Sequence, residues 1–161
     1  MKLGVSGHRW RDGADWDWVR REIEGIILRI GTVSGLTSLA PGADRVFADE
    51  ILAGGKDLVS VAPAVNGVIE LERTEKAAFD RYAARSAAII RVEGATPDEA
   101  FLKAGERVAD EADYMVFVWD GGPSRGYGGT ADIVAYARST GKAGIILDPV
   151  LRTSRDLYET P

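Results

Sequence analysis

The feature that most constrains this chain is an apolar run at residues 114–119 (YMVFVW), which leads directly into a glycine-dense loop. A strand that is apolar at nearly every position is buried on both faces, as in a parallel sheet covered by helices on each side. The loop that follows, residues 120–129, contains five glycines, and a helix pattern begins at Thr130. This connection of strand, loop and helix predicts an α/β protein.

The rest of the chain repeats the alternation of strand and helix. Short apolar runs predict six strands, at residues 3–6, 36–40, 58–62, 87–92, 114–119 and 143–147. Helical periodicity and end signals predict five helices, at residues 14–30, 43–53, 69–85, 97–112 and 130–140. We therefore predict one α/β domain over residues 1–161, a doubly wound Rossmann-like parallel sheet with helices on both faces, and a polar tail from about residue 150.

The predicted strands also have a predicted order. Numbered in chain order, we expect them to lie side by side as 4-3-2-1-5-6, so that the chain reverses direction between strands 1 and 5. In open α/β sheets, the ligand crevice lies beyond the carboxyl ends of the strands at such a reversal.

Composition narrows the classes of site and partner. The chain has no cysteine and a single histidine, His8, which exclude thiolate and multi-histidine metal sites, and we expect no metal. The N-terminus does not resemble a signal peptide, and no run of about 18 apolar residues occurs, so we expect a cytoplasmic protein without membrane contact. The formal net charge of −5 leads us to expect a small-molecule partner and no nucleic acid. Related folds often pair, and a homodimer is expected on that ground alone.

Three loops that follow predicted strands carry candidate ligand-binding residues. The first contains Ser6, Gly7, His8 and Arg9. Small residues there let a backbone approach a ligand, and a serine and an arginine can hold phosphate oxygens. The alternative is a tight turn in which Gly7 only supplies a positive φ.

The second loop contains Pro41, Gly42, Ala43 and Asp44 and leads directly into a helix. A helix N-terminus offers unpaired amides and the positive end of the helix dipole, which favour an anion. Asp44 either caps that helix or accepts a bond from a ligand hydroxyl, and the sequence leaves both interpretations open.

The third loop gives the strongest signal. Its candidate residues are Asp120, Gly121, Arg125, Gly128, Gly129 and Thr130. A helix whose first turn follows Gly-Gly-Thr can cradle an anion, with Thr130 as a hydroxyl donor and Arg125 as the counter-charge. The loop lacks the Gly-Lys-Ser/Thr of a P-loop, and the alternative is a flexible surface loop.

Two further features are weaker. Trp10 can stack on a nucleotide base, but packing against the protein is the commoner use of such a residue. Glu72 belongs to a charge run that is usually a solvated helix face, although one carboxylate near the crevice could meet a ribose or act as a base.

Together the three loops resemble those of the SLOG superfamily, the Rossmann-like group that contains DNA-processing protein A and the LOG, or lysine decarboxylase-like, phosphoribohydrolases. The matching segments, within residues 2–149, are 4–9 (GVSGHR), 38–44 (SLAPGAD), 118–121 (VWDG) and 128–130 (GGT). The resemblance implies binding of nucleotides or their derivatives, with phosphate in the Gly-Gly-Thr loop. It also implies a catalytic glutamate three residues after the threonine, but here that residue is Ile133. Asp132 lies one residue short, which rotates its side chain by about 100° on a helix.

We therefore expect a module that binds or senses a nucleotide, with an AMP-like ligand in place of a fixed cofactor. One alternative is an N-glycosidic hydrolase acting on nucleotides, whose catalytic carboxylate would have to be Asp120, Asp44 or Glu72. The second alternative is a DNA-binding protein of the DNA-processing type, against which the acidic net charge argues.

Overall fold

The computed structural model describes residues 1–71, 75–124 and 129–160, in which one mixed sheet of eight strands is covered by five helices. The strands are β1 (Lys2–Gly7), β2 (Ser34–Thr37), β3 (Asp57–Val65), β4 (Val68–Ile69), β5 (Ala88–Glu93), β6 (Tyr114–Val118), β7 (Gly144–Asp148) and β8 (Thr153–Asp156). The helices are α1 (Trp16–Arg29), α2 (Ala43–Ala53), α3 (Lys76–Ala83), α4 (Pro97–Glu111) and α5 (Thr130–Ser139).

The six long strands are parallel and lie in the order β5-β3-β2-β1-β6-β7, which is the predicted order. The chain moves outward from β1 to β5 and then returns to place β6 on the other side of β1. At the carboxyl end of this central pair, Gly7 lies opposite Val118. The reversal between β1 and β6 therefore places the loops after both strands at one point.

Each face of the sheet has its own apolar core. On one face, α1, α2 and α3 bury side chains such as Ile23, Phe47 and Phe79 against the strands. On the other face, α4 and α5 bury Val108 and Val134. The buried strand β6 contributes to both cores, as the apolar run predicts, and the layers form the doubly wound α/β fold.

The helix predicted at residues 69–85 was wrong in its first half. Val68 and Ile69 form β4, which pairs antiparallel with the end of β3 through a two-residue turn at Asn66 and Gly67. Both turn residues have positive φ, 51° and 76°, as an Asn-Gly hairpin turn requires. The hairpin uses the segment that the charge pattern assigned to a helix, and α3 begins only at Lys76.

The tail predicted from about residue 150 was also wrong. Asp148 Oδ1 accepts hydrogen bonds from the amides of Val150 and Leu151, both at 2.9 Å, and turns the chain back on itself. The strand β8 then pairs antiparallel with β7, and Leu157 is fully buried in the core. In the part of the chain that the structure describes, no helix has both the length and the apolar character to cross a membrane.

Candidate functional site

A cleft of about 460 Å³ lies at the carboxyl ends of β1 and β6. The loops after β1, β2 and β6 reach it, and the first turns of α4 and α5 complete its wall. This is the switch point of the sheet, where α/β proteins of this topology bind ligands.

The loop after β1 lies against α2. A Cβ atom added to Gly7 would lie 2.5 Å from Cβ of Ala43 and 2.8 Å from Cβ of Val118. Gly7 is not among the residues with positive φ, so it does not supply the positive φ of a tight turn. The absent side chain lets α2 and β6 pack against β1.

Gly42 likewise permits a close contact, in this case between the loop after β2 and the loop after β1. Its φ is 103°, and an added Cβ atom would lie 2.6 Å from Cα of Arg9. The backbone of the second loop therefore touches the backbone of the first. The amide of Ala43, the first of α2, donates to the carbonyl of His8 at 3.0 Å. One of the helix amides predicted to bind an anion is therefore already occupied by protein.

Asp44 does not cap α2, because the cap residue is Gly42 and no side-chain cap bond forms there. Its carboxylate turns back toward the end of β2 and accepts bonds from the Thr37 hydroxyl at 2.9 Å and the Ser38 amide at 3.1 Å. Burial raises the pKa of Asp44 to about 6, although Thr37, the amides of Ala40 and Ser38, and Arg9 act to lower it. Asp44 thus fixes the loop in place, and the buried Leu39 holds a φ of 61° there.

His8, Arg11 and Asp120 join the loops after β1 and β6. Nε2 of His8 lies 3.0 Å from Oδ1 of Asp120 and 3.1 Å from the amide nitrogen of the same residue, while Arg11 pairs with the other carboxylate oxygen. Burial raises the pKa of Asp120, but the Gly122 amide, Arg11 and His8 outweigh it and lower that pKa to about 2. Asp120 is thus an ionised anchor between two loops.

The start of α5 is different. Its cap residue, Gly129, makes no side-chain cap bond, and the amide of Asp132 donates to the Ser124 hydroxyl at 3.3 Å. In the described parts of the chain, the amides of Thr130 and Ala131 and the Thr130 hydroxyl have no hydrogen-bond partner. Thr130 and Ala131 both line the cleft, so these donors belong to its wall.

The structure brings seven of the predicted site residues to the cleft: Ser6, Gly7, His8, Arg9, Asp44, Gly129 and Thr130. Four others are not among its lining residues: Gly42, Ala43, Asp120 and Gly121, of which the first three make the protein contacts described above. Pro41 lines a smaller adjoining chamber. The predictions for Glu72, Arg125 and Gly128 lie outside the described residues.

Several lining residues were not predicted from the sequence. Asp98, Phe101 and Gly105 come from α4, and Ser124 comes from the loop after β6. A capping box marks the start of α4, where Thr96 accepts the Glu99 amide at 3.2 Å. That signal places the helix start but not the surface it faces, which depends on how α4 packs against the sheet.

The position of the catalytic glutamate of the LOG enzymes lies in the same wall. Ile133 is 1% exposed, packs in the core with α4 and lines the cleft. An apolar side chain therefore occupies the position at which those enzymes carry an acid. Within the described residues, no group of three or more His, Asp or Glu side chains could hold a metal ion.

No protein-family model and no curated protein matches this chain. Solved structures do match. DNA processing protein A from Helicobacter pylori has a TM-score of 0.66 and 15% sequence identity, over 92% of this chain and 65% of its own. The Streptococcus pneumoniae protein of that name gives 0.63 and 16%, over 89% of this chain and 48% of its own. This chain has the SLOG-type Rossmann-like fold.

The resemblance inferred from the three loops is thus confirmed at the level of the fold. The molybdenum cofactor carrier protein from Chlamydomonas reinhardtii also matches, with a TM-score of 0.55 and 18% identity, over 90% of this chain and 74% of its own. The chain spans only about half to two-thirds of the length of the two DNA processing proteins.

The expectation that nucleic acid is not a partner was wrong. The Helicobacter pylori structure concerns the single-stranded DNA binding mode of DNA processing protein A, and its fold matches nearly all of this chain. Net charge averages over the whole surface, whereas binding depends on the few donors that line one cleft. A net charge of −5 therefore does not remove nucleic acid from the candidate ligands.

Proposed function

We propose that this chain binds a nucleotide or a nucleotide-derived ligand in the cleft, with a phosphate group on the first amides of α5. The observation that carries the proposal is the pair of unpartnered amides at Thr130 and Ala131, together with the Thr130 hydroxyl. A phosphate would accept all three bonds at the positive end of the helix dipole.

Other features of the cleft support the same ligand. Ser6 and Arg9 also line the cleft, and a hydroxyl and a positive charge there suit a phosphate group. Asp132, the acidic residue in the first turn of α5, is not among the lining residues. Solved structures with this fold include a single-stranded DNA binding protein and a molybdenum cofactor carrier, so the fold accommodates ligands of different sizes.

Binding is proposed here in preference to cleavage of an N-glycosidic bond. Of the three candidate carboxylates, Asp120 is held by Arg11 and His8, Asp44 is buried and bonded to Thr37 and Ser38, and Glu72 lies outside the described residues. The two carboxylates that the structure describes therefore have structural partners, whereas the first amides of α5 have none.

A ligand series tests the proposal. Melting temperature and calorimetry should be measured with AMP, GMP, ribose 5-phosphate, inorganic phosphate and adenosine, while release of free base is followed in parallel. We expect the phosphorylated compounds to bind and adenosine to bind at least tenfold more weakly, by about the strength of the bonds to a charged group. Equal affinity for AMP and adenosine would refute the phosphate site, and release of base would establish an enzyme.

Single-stranded DNA is a second candidate, favoured by Trp10. This residue is 51% exposed, lines the cleft and rests edge-on against Trp16 at 4.8 Å between ring centroids. A fixed, exposed indole between two arginines can stack on a base of a strand that leaves the cleft.

Trp10→Ala separates the two candidates. If single strands bind, the substitution should weaken a labelled oligothymidylate several-fold, and by more than it weakens AMP, because a base of the strand that leaves the cleft stacks on the exposed indole. Leu28→Ala, at another exposed apolar position, is the matched control. Oligothymidylate binding that is absent in the unmodified protein, or that Trp10→Ala does not change, removes this candidate.

A further inference from the structure

A second chamber, of about 200 Å³, adjoins the cleft. Arg9, Ser38, Ala40 and Phe101 line both spaces, so the chamber and the cleft are continuous. The site after β1 and β6 therefore has a side compartment beside the ends of β2 and β3.

The walls of this chamber are mainly apolar and rigid. They are formed by Leu39, Pro41, Pro63, Leu71, Pro97 and Phe101. Three of these residues are prolines, whose rings have no rotamer freedom to lose, and one is aromatic. Such a compartment suits a flat heteroaromatic ring better than a flexible or charged group.

The chamber also contains one carboxylate that no protein group engages. The carboxylate of Glu75 is paired with Arg45, whereas the side chain of Glu70 makes no hydrogen bond or ion pair with any residue in the described parts of the chain. The oxygens of Glu70 are not among the buried atoms that lack a partner, so solvent reaches them. Donors of a ligand can therefore replace water at Glu70.

We infer that the chamber takes the base of a nucleotide and that Glu70 makes it select guanine. Guanine carries two adjacent donors, N1–H and the 2-amino group, which match the two oxygens of one carboxylate. Adenine has an unprotonated ring nitrogen where guanine has N1–H, and that nitrogen would face the same oxygen. The inference rests on the proposed function, because the phosphate at α5 fixes the other end of the ligand.

The spacing of the sheet agrees with one ligand spanning both sites. The helix α5 contacts β1 and β6, and the chamber lies beside the ends of β2 and β3. Adjacent strands are about 4.8 Å apart, so one to three strand spacings, roughly 5–14 Å, separate the two sites. A nucleoside monophosphate can bridge that distance.

Calorimetry with GMP, AMP and ribose 5-phosphate tests the inference. In the unmodified protein we expect GMP to bind about tenfold more tightly than AMP or ribose 5-phosphate, the effect of a charge-assisted pair of bonds. Glu70→Gln should remove this preference and leave ribose 5-phosphate unchanged, and Leu71→Trp, which fills the chamber, should do the same. Glu24→Gln, at an exposed position on α1, is the control.

The outcomes separate the two proposals. If ribose 5-phosphate binds but GMP shows no preference, or if the preference survives both Glu70→Gln and Leu71→Trp, the chamber assignment is overturned and the phosphate site stands. If none of the three ligands binds, the proposed function fails and the chamber assignment fails with it.

Discussion

Two helices, α2 and α5, begin at the same cleft, but the first amide of α2 is bonded to protein and the first amide of α5 is not. At α2, the amide of Ala43 is bonded to the His8 carbonyl, and the carboxylate of Asp44 supplies a negative charge near the positive end of that helix. At α5, the amides of Thr130 and Ala131 have no partner within the described residues. Both follow glycine-containing loops, so the motif alone does not identify an anion site. What matters is whether protein already occupies the amides.

The difference also separates residues that hold the loops together from residues that are placed to bind a ligand. The loops after β1 and β2 are joined by backbone contact at Gly42 and by the bonds of Asp44. Substitutions at Gly42 and Asp44 should therefore change stability, whereas substitutions at the start of α5 should change ligand affinity.

Gly42→Ala should have the largest effect, because it combines a φ of 103° with a collision against the first loop. We expect the free energy of unfolding to fall by about 3 kcal/mol or more, measured by denaturant titration. Gly55→Ala is the matched control, since Gly55 also has a positive φ, 65°, but an added Cβ meets nothing within 4 Å. That control should cost only about 1 kcal/mol. Equal losses at both positions would show that the loop contact contributes nothing.

Asp44→Asn should change how stability depends on pH. The pKa of Asp44 is raised from its ordinary value of 3.8 to about 6, so between these values the folded state binds more protons than the unfolded state, and stability falls as pH rises. Relative to the unmodified protein, the variant should gain about 2–3 kcal/mol between pH 4 and pH 7. Denaturant titrations at pH 4 and pH 7 measure the free energy of unfolding of both proteins. If the variant differed from the unmodified protein by the same amount at both pH values, the burial of an ionised Asp44 would be contradicted.

Asp120→Asn should have a smaller effect of opposite sign. Because the folded state lowers the pKa of Asp120 to about 2, its ionised form stabilises the fold above about pH 4, and this contribution is lost as pH falls toward 2. We expect a loss of about 1 kcal/mol at pH 7, allowing for solvent screening. Thermal unfolding of Asp12→Asn, a nearby exposed carboxylate, should be unchanged. If Asp120→Asn were as stable as Asp12→Asn, Asp120 would not anchor the loops after β1 and β6.

The architecture was largely predictable because it follows from local patterns. The apolar run at 114–119 required a doubly covered strand, and the strand order followed from the alternation of elements. The start of α1 is equally local, since the side chain of Asp15 accepts the Trp18 amide at 2.9 Å. The Asn66-Gly67 hairpin was predictable in principle, but the charge run after it favoured a helix.

The functional state of the site residues was not predictable, because it depends on contacts between distant segments. Nothing in the sequence near Ala43 indicates that the carbonyl of His8 bonds its amide. Likewise, Phe101 reaches the cleft only because α4 packs across the sheet. The sequence already favoured the Gly-Gly-Thr loop as the anion site, whereas the bond that occupies the Ala43 amide of α2 could be seen only in the three-dimensional structure.

Proline substitution at the first residue of α5 and of α2 tests most directly the central claim, that the amides of α5 hold the phosphate. Thr130→Pro removes an unbonded amide and the hydroxyl where proline is tolerated, after a Gly129 that is already extended. Thr130→Ala removes only the hydroxyl, and Ala43→Pro removes the bonded amide of α2. Calorimetry with ribose 5-phosphate should show Thr130→Pro binding at least about tenfold more weakly than Thr130→Ala, at nearly unchanged melting temperature. Ala43→Pro should lower the melting temperature instead. If Thr130→Pro and Thr130→Ala bind the ligand equally, the α5 amides do not hold the phosphate.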